Sequence, residues 1–361
     1  MNPEETTQTS LVKQIIANSD KNDDAELLSN DEIVERLFCS IHKDKKYVII
    51  SGGYIKGVSY ARVLSCLINR ENDFLTNIKG VAGTSIGTVV ALALCCCKDK
   101  TSWNRFFEWF CFETRIWDKN DTLHEHSKLT LFYRTLFKKQ SLFDNKLLED
   151  FVYELLHFFN LDVNITLRQF YKLTGIEYIC NAYCLVKHKT IYFNRKDCPR
   201  IRLADAMMAS MCLPALFNPI QIQKHYFVDG GIVRNVVENV FPKKETLCIK
   251  TEPQSLEPYD PESRKPIWSH LKTVYDILCR QTEEFNDYLN KDIHYNSVTL
   301  YLDGFNFMDM LTKYTHKRKL IDKMLEAATK SIEIHVNEKI FFYYVIVAVF
   351  FYLYDKYVNI Q

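Results

Sequence analysis

Gly83-Thr84-Ser85-Ile86-Gly87 is the stretch around which the rest of the chain is organised, a serine set between two glycines. Asn77 to Ala82, just before it, reads as a short strand, and Thr88-Val89-Val90-Ala91-Leu92-Ala93-Leu94 after it has the apolar density of a buried helix. A strand that turns sharply into a helix leaves no room for a Cβ beside the turning residue. Gly83 and Gly87 fit such a turn, and the Ser85 hydroxyl is pushed outward, which is the logic of a nucleophile elbow. The same pentapeptide also occurs in ordinary strand-to-helix turns, so its meaning rests on its surroundings.

Upstream, Lys46 to Ile50 is a β-branched run suited to a buried parallel strand, and Ser51-Gly52-Gly53-Tyr54-Ile55-Lys56-Gly57 follows at once. Val58 to Ile68 then spaces its apolar residues as a helix does. The order is strand, glycine loop, helix, strand, serine elbow, helix. A right-handed crossover lays the two strands side by side and brings both turns to the carboxyl edge of the sheet. Backbone N–H groups of the glycine loop, at a helix start, are then placed to bind negative charge beside Ser85. A phosphate-binding or purely structural turn is the alternative, although neither a Walker ending nor a full dinucleotide spacing is present.

Downstream, Ile176 to Val186 and Thr190 to Phe193 read as two strands joined by Lys187-His188-Lys189, a hairpin. Leu203 to Ser210 reads as a helix that ends before Pro214. His225 to Val228 is a strand running into Asp229-Gly230-Gly231. A carboxylate at a strand end, freed by two glycines to enter a tight site, is a candidate general base, and an ordinary Asp-Gly turn is the competing reading. The aromatic stretch from Trp103 to Phe159 fits a helical core, or else an acyl-chain channel. His124 and His126 within it are expected at the surface.

Composition narrows the function classes. The chain has 361 residues and a net charge of +1, with no basic stripe interleaved with aromatics, which argues against nucleic-acid binding. Its 12 cysteines show no metal-type spacing, and Cys95-Cys96-Cys97 on one buried helix cannot form a disulfide framework. A reducing compartment is expected. Met1-Asn2-Pro3-Glu4-Glu5-Thr6 lacks both a basic region and an apolar core, so no secretory signal is expected.

Taken together and in this order, these pieces resemble the patatin-like phospholipase family. The family's glycine-rich oxyanion loop is similar to Ser51–Gly57, its elbow to Gly83–Gly87, and its Asp-Gly-Gly to Asp229–Gly231. Ala209-Ser210 followed by Pro214, Phe217 and Pro219 resembles the block before the aspartate strand, and Asn235 stands where the family commonly has asparagine. The resemblance spans residues 45–250. It implies an α/β fold, a patatin-like three-layer αβα sandwich with a mainly parallel central sheet, here followed by a helical C-terminal extension. It also implies a lipid acyl hydrolase of phospholipase A or related lipase type. Ser85 is then the nucleophile, Asp229 its base, and Gly52, Gly53, Tyr54 and Ile86 the oxyanion hole, with Gly57 and Lys56 supporting the loop. No metal and no cofactor is required. The implied substrate is a membrane lipid or another acyl ester. Tyr54 departs from the family, which usually has a third glycine there; a positive φ at that position would cost about 1–3 kcal/mol.

Two other readings stay open. In α/β-hydrolases the order is Ser, acid, His, and His270, His294, His316 and His335 all follow Asp229. A catalytically weak patatin-like protein that binds lipid or a partner is the non-enzymatic reading, supported by Tyr54.

The ends divide by composition. Residues 1–44 read as a polar arm with a helix around Glu32 to Phe38, 45–250 as the catalytic domain, and 251–338 as a mainly helical region. Within the last, residues 251–266 hold four prolines and read as a loop, while Trp268 to Tyr288 and Lys317 to His335 read as helices. Ile340 to Tyr354 is an uninterrupted apolar run of about 22 Å as a helix, against a hydrocarbon core near 30 Å. Lys339 and Lys356 flank it, and Lys313, Lys317, Arg318, Lys319 and Lys323 form a basic cluster on the side expected to stay cytoplasmic. Residues 339–356 are therefore expected to be a membrane anchor that keeps the catalytic domain facing the cytoplasm. An in-plane helix and a core helix are the rivals.

Overall fold

The computed structural model describes residues 29–53, 56–71, 73–114, 141, 143–214, 216–251, 296–300 and 317–358, with side chains of the last helix described as far as 340. The first element is α1 (Asn30–His42). Ser29 caps it: its hydroxyl accepts the Glu32 N–H while the Glu32 carboxylate accepts the Ser29 N–H, satisfying two otherwise orphaned donors. Then come β1 (Tyr47–Ile50), α2 (Gly57–Arg70), a single helical turn Phe74–Asn77, β2 (Gly80–Thr84) and α3 (Gly87–Cys96). Next, α4 (Lys100–Glu108) runs into a π-turn, Trp109–Glu113. Beyond it lie α5 (Asn145–Phe158), α6 (Leu167–Thr174), the β3 (Glu177–Cys184) and β4 (Lys189–Phe193) hairpin, and α7 (Leu203–Met211). β5 (Ile220–Ile222), β6 (His225–Asp229), β7 (Thr246–Thr251), β8 (Asn296–Leu300) and α8 (Lys317–Val358) complete the described chain.

These strands form one mixed sheet in the order β5-β6-β3-β2-β1-β7-β8, with β4 on the far edge of β3. Its centre is parallel: β1 pairs with β2 and β7, β2 with β3, and β7 with β8. The expected side-by-side placement of the first two strands is present, with Ile50 opposite Gly83. Val48, Ile49 and Ile50 are fully buried, as is all of β2, because helices or loops cover both faces. The strand expected from Asn77 begins instead at Gly80, since Phe74 and Leu75 turn into the core as a helical turn first.

α3 has almost no polar face, which suits a helix buried between the sheet and its neighbours. One large core joins α2, α3, α4, α5, α7 and α8 on one side of the sheet. On the other side Ile49, Ala82, Ile179 and Cys248 pack against Val237 and the 236–241 segment. The described aromatics of the Trp103 to Phe159 stretch belong to the large core. Phe106 stacks on Phe110 at 5.4 Å between centroids and Trp109 on Phe158 at 4.9 Å, while Trp103 donates through Nε1 to Ser65 Oγ at 2.8 Å. His124 and His126 lie outside the described residues.

The C-terminal region contributes to this same body. β8 extends the sheet past β7, with Leu247 opposite Asn296. Ile321, Met324, Ala328, Ile332 and Val336 form the buried stripe of α8, and Ser59 Oγ of α2 donates to the Met324 carbonyl at 3.0 Å. α8 is one helix from Lys317 to Val358, so no separate helix starts at 339; no glycine or proline interrupts that span. Among the described residues no helix is long and apolar enough to cross a membrane. The transmembrane anchor expected over 339–356, and the membrane-associated localisation inferred from it, find no support. The side chains of 341–354 lie outside the described residues, as do the polar arm 1–28, the proline-rich loop beyond Thr251 and the helix expected over Trp268 to Tyr288.

Candidate active site

Ser85 and Asp229 meet because two strands share one edge of β3. β2 runs parallel to the first half of β3, with Thr84 opposite Asn181. β6 runs antiparallel to the second half, with Asp229 opposite Ala182. β4 covers Cys180 to Cys184 from the other edge, so the carboxyl ends of β2 and β6 point at each other across neighbouring residues of β3. The residue after Thr84 is Ser85, and its Oγ donates to Asp229 Oδ2 at 2.5 Å.

The turn at Ser85 is as tight as its glycines suggest. Ser85 sits in the left-handed region at φ 51°, uncommon for a residue with a side chain. A Cβ on Gly83 would lie 2.6 Å from the Gly87 carbonyl, and one on Gly87 would lie 2.6 Å from the Ile50 and Ser51 carbonyl oxygens. Backbone cannot yield there, so both positions exclude any side chain. The Ser85 N–H donates to Ser210 Oγ at 2.9 Å, and Thr88 Oγ1 donates to the Ser85 carbonyl at 2.6 Å.

Asp229 is only 3% exposed. Its N–H donates to the Cys212 carbonyl at 2.8 Å, and its Oδ1 accepts the Gly231 N–H at 2.7 Å. Burial raises the carboxyl pKa from 3.8 to about 6, while the hydrogen bonds from Ser85 and Gly231 pull the other way. The carboxylate is thus ionised at neutral pH yet far more basic than an exposed aspartate. Gly230 packs under Asn181: a Cβ there would lie 2.6 Å from the Asn181 carbonyl and 2.7 Å from its amide.

The glycine loop closes over the serine. A Cβ on Gly52 would meet Asn235 Oδ1 at 2.5 Å and Ser85 Cβ at 3.2 Å, and one on Gly231 would meet the same Asn235 oxygen at 3.1 Å. Gly52, Ser85, Gly231 and Asn235 therefore converge. The Gly52 N–H, expected to face an oxyanion, donates instead to the Asn235 carbonyl at 3.2 Å. Gly53 turns the chain into α2, its carbonyl accepting the Lys56 N–H at 3.1 Å. A Cβ on Gly57 would lie 2.7 Å from Ile86 Cγ1, so the start of α2 rests on the residue after the serine. Lys56 and Ile86 are both buried. Tyr54 lies outside the described residues, as do His270, His294 and His316. His335 pairs with His42, Nε2 to Nε2 at 3.1 Å, rather than with the dyad. Among the described residues no three His, Cys, Asp or Glu side chains gather as a metal-ligand set.

The pattern of the patatin-like phospholipase family matches residues 48–241, more than half of the chain. The chain belongs to that family. Probable lipid hydrolase 463L of Invertebrate iridescent virus 6 is 24% identical over 190 residues, 53% of this chain and 61% of the relative. The match thus spans less than two thirds of that relative's length. Among solved structures, VipD from Legionella pneumophila aligns with a TM-score of 0.47 at 16% identity, covering 82% of this chain and 67% of VipD. The type III effector ExoU of Pseudomonas aeruginosa aligns with a TM-score of 0.42 at 16% identity, covering 82% of this chain and 53% of ExoU.

Two groups at this patatin-like site were not singled out from the sequence as site residues. Asn181, fully buried, accepts from Thr84 Oγ1 at 2.8 Å and donates to the Arg234 carbonyl at 2.9 Å, tying the end of β2 to the segment after Asp229. Ser210 holds the elbow N–H. Asn181 lies in no motif, and Ser210, although part of the block before the aspartate strand, shows its role only through a contact with Ser85, distant in sequence. Cys212, beside Asp229, is no rival nucleophile: burial first and the Asp229 charge second push its thiol up to about 12, and its Sγ donates to the Asn218 carbonyl at 2.9 Å.

Proposed function

We propose that this chain hydrolyses carboxylic esters of lipids, as a phospholipase A or a related lipase, with Ser85 as nucleophile and Asp229 as its base. The observation that carries the reading is the 2.5 Å hydrogen bond from Ser85 Oγ to a buried, raised-pKa carboxylate. Membership in a lipid-hydrolase family supports the substrate class.

In the first half-reaction Ser85 Oγ attacks the ester carbonyl carbon as its proton passes to Asp229 Oδ2. The tetrahedral oxyanion forms beside the glycine loop. Its donors are assigned to the N–H groups of Gly53 and Ile86, with Tyr54 as a further contributor, because Gly52 is engaged by Asn235. Each such donor is worth about 3 kcal/mol of barrier. Collapse breaks the ester C–O bond, Asp229 returns its proton to the departing alcohol, and the acyl group stays on Ser85. Water, deprotonated by Asp229, then attacks the acyl-serine; collapse breaks the acyl C–Oγ bond, Asp229 returns the proton to Ser85 Oγ, and the fatty acid leaves. A carboxyl near 6 suits both halves, since it takes a proton readily and gives it back.

The Ser-His-Asp reading loses ground because Ser85 bonds the carboxylate directly and His335 is occupied by His42. Incubating the purified protein with phospholipids and neutral acylglycerols, and identifying products by mass spectrometry, tests the proposal. Free fatty acid with the matching deacylated lipid is expected from the wild type and not from Ser85→Ala. Equal release by both proteins would refute it.

A further inference from the structure

We propose that the tips of the two hairpins beside the dyad form a docking surface for an anionic lipid bilayer. The inference rests on the lipid-hydrolase reading above and names how that site meets its substrate.

The same register that brings Ser85 to Asp229 carries β3 and β6 beyond the site. Asp229 lies opposite Ala182 and Phe227 opposite Cys184, and the Leu185 N–H donates to the Tyr226 carbonyl at 2.9 Å. The β3–β4 turn and the β5–β6 turn therefore project from the same end of the sheet. At roughly 3.3 Å per residue, Leu185 and Tyr226 stand about 10 Å past Asp229 and the turns lie beyond them, on the side toward which β2 delivers Ser85.

Residues at these tips break the usual burial pattern. Leu185, Val186 and Tyr226 are 39%, 52% and 45% exposed, three of the four large exposed hydrophobics among the described residues. Leu185 and Tyr226 are cross-strand neighbours on one face, so they form a contiguous apolar ridge rather than scattered contacts. Lys187 and Lys224 on these turns and Lys189 at the start of β4 are exposed, and residues 185–189 and 223–226 include no Asp or Glu. Apolar side chains ringed by cations match a bilayer whose acyl region lies beneath anionic headgroups. Gln223 at φ 56° and His188 at φ 49° mark both turns as tight.

Sedimentation with sucrose-loaded vesicles of phosphatidylcholine, with and without phosphatidylserine, tests this on the full chain. Two variants are compared with wild type: L185S/V186S/Y226S and K187E/K189E/K224E. Each is expected to bind phosphatidylserine vesicles at least about tenfold more weakly, and the charge variant also to lose the preference for phosphatidylserine over pure phosphatidylcholine. Hydrolysis of a short-chain ester dissolved as monomers should be unchanged in both, which confirms folding and an intact dyad. Wild-type-like vesicle binding by both variants would overturn the proposal, as would wild-type binding that ignores phosphatidylserine. Vesicle binding that depends on the tips in a protein that hydrolyses no lipid would retain the surface and overturn the enzymatic reading instead.

Discussion

The Ser85 amide nitrogen donates to the Ser210 hydroxyl at 2.9 Å, tying the strained elbow to α7. Ser210 is fully buried, so no water replaces its oxygen when the side chain is shortened. Ser210→Ala should therefore leave the Ser85 N–H short of an acceptor, costing about 1–3 kcal/mol in denaturant unfolding. Because an ångström of misplacement can cost about a hundredfold in rate, kcat should fall at least tenfold with KM little changed. Steady-state kinetics on a monomeric ester separates the two constants, and an unchanged kcat would remove Ser210 from the positioning role.

Asp229 is held at a cost to the fold. Its carboxyl titrates near 3.8 when exposed and at about 6 when buried, so between those values the folded chain holds the extra proton. Raising the pH through that window therefore lowers stability, by on the order of 2–3 kcal/mol once above 6. Asp229→Asn keeps an acceptor for the Gly231 N–H and carries no charge. It should be inactive yet melt higher than wild type at pH 8, with the gap closing toward pH 4. Equal melting temperatures at pH 8 would mean the carboxylate is not destabilised by burial.

The same pKa sets the acid limb of activity. Only ionised Asp229 can accept the Ser85 proton, so kcat/KM on a monomeric ester should rise with pH and level off above a midpoint near 6. A profile flat from pH 5 to 8 would separate the dyad from the rate.

His42 and His335 predict a separate acid sensitivity. Burial, then the facing histidine and the nearby Lys45 and Lys339, hold His42 well below its ordinary 6.5, and burial with Lys339 lowers His335 to about 4. The unfolded chain takes up protons below about 6.5 that the folded chain refuses, so stability is lost as the pH falls through that range. Replacing both with phenylalanine should reduce the drop in melting temperature between pH 7 and pH 5. An equal drop in the double variant would place the acid-sensitive groups elsewhere.

What could be read before folding was whatever local chemistry dictates. The glycines at 83 and 87 report a turn that tolerates no Cβ, and the strand ending at Asp229 reports a carboxylate delivered to a sheet edge. What could not be read depends on pairing over long separations. The head-on meeting of β2 and β6 follows from their registers on β3, and the Gly52 N–H is diverted by Asn235, 183 residues away by subtraction of their numbers. The anchor expectation finds no support among the described residues, and helix propensity continues across the change from charged to apolar residues near 339, so α8 runs through it.

The most direct measurement is covalent labelling by a fluorophosphonate, which is attacked by an activated serine, with the modified peptide mapped by mass spectrometry. A single adduct on Ser85 is expected in the wild type, none in Ser85→Ala, and labelling slowed at least about a hundredfold in Asp229→Asn. Labelling of Ser85 at the wild-type rate in Asp229→Asn would refute the Ser85–Asp229 dyad.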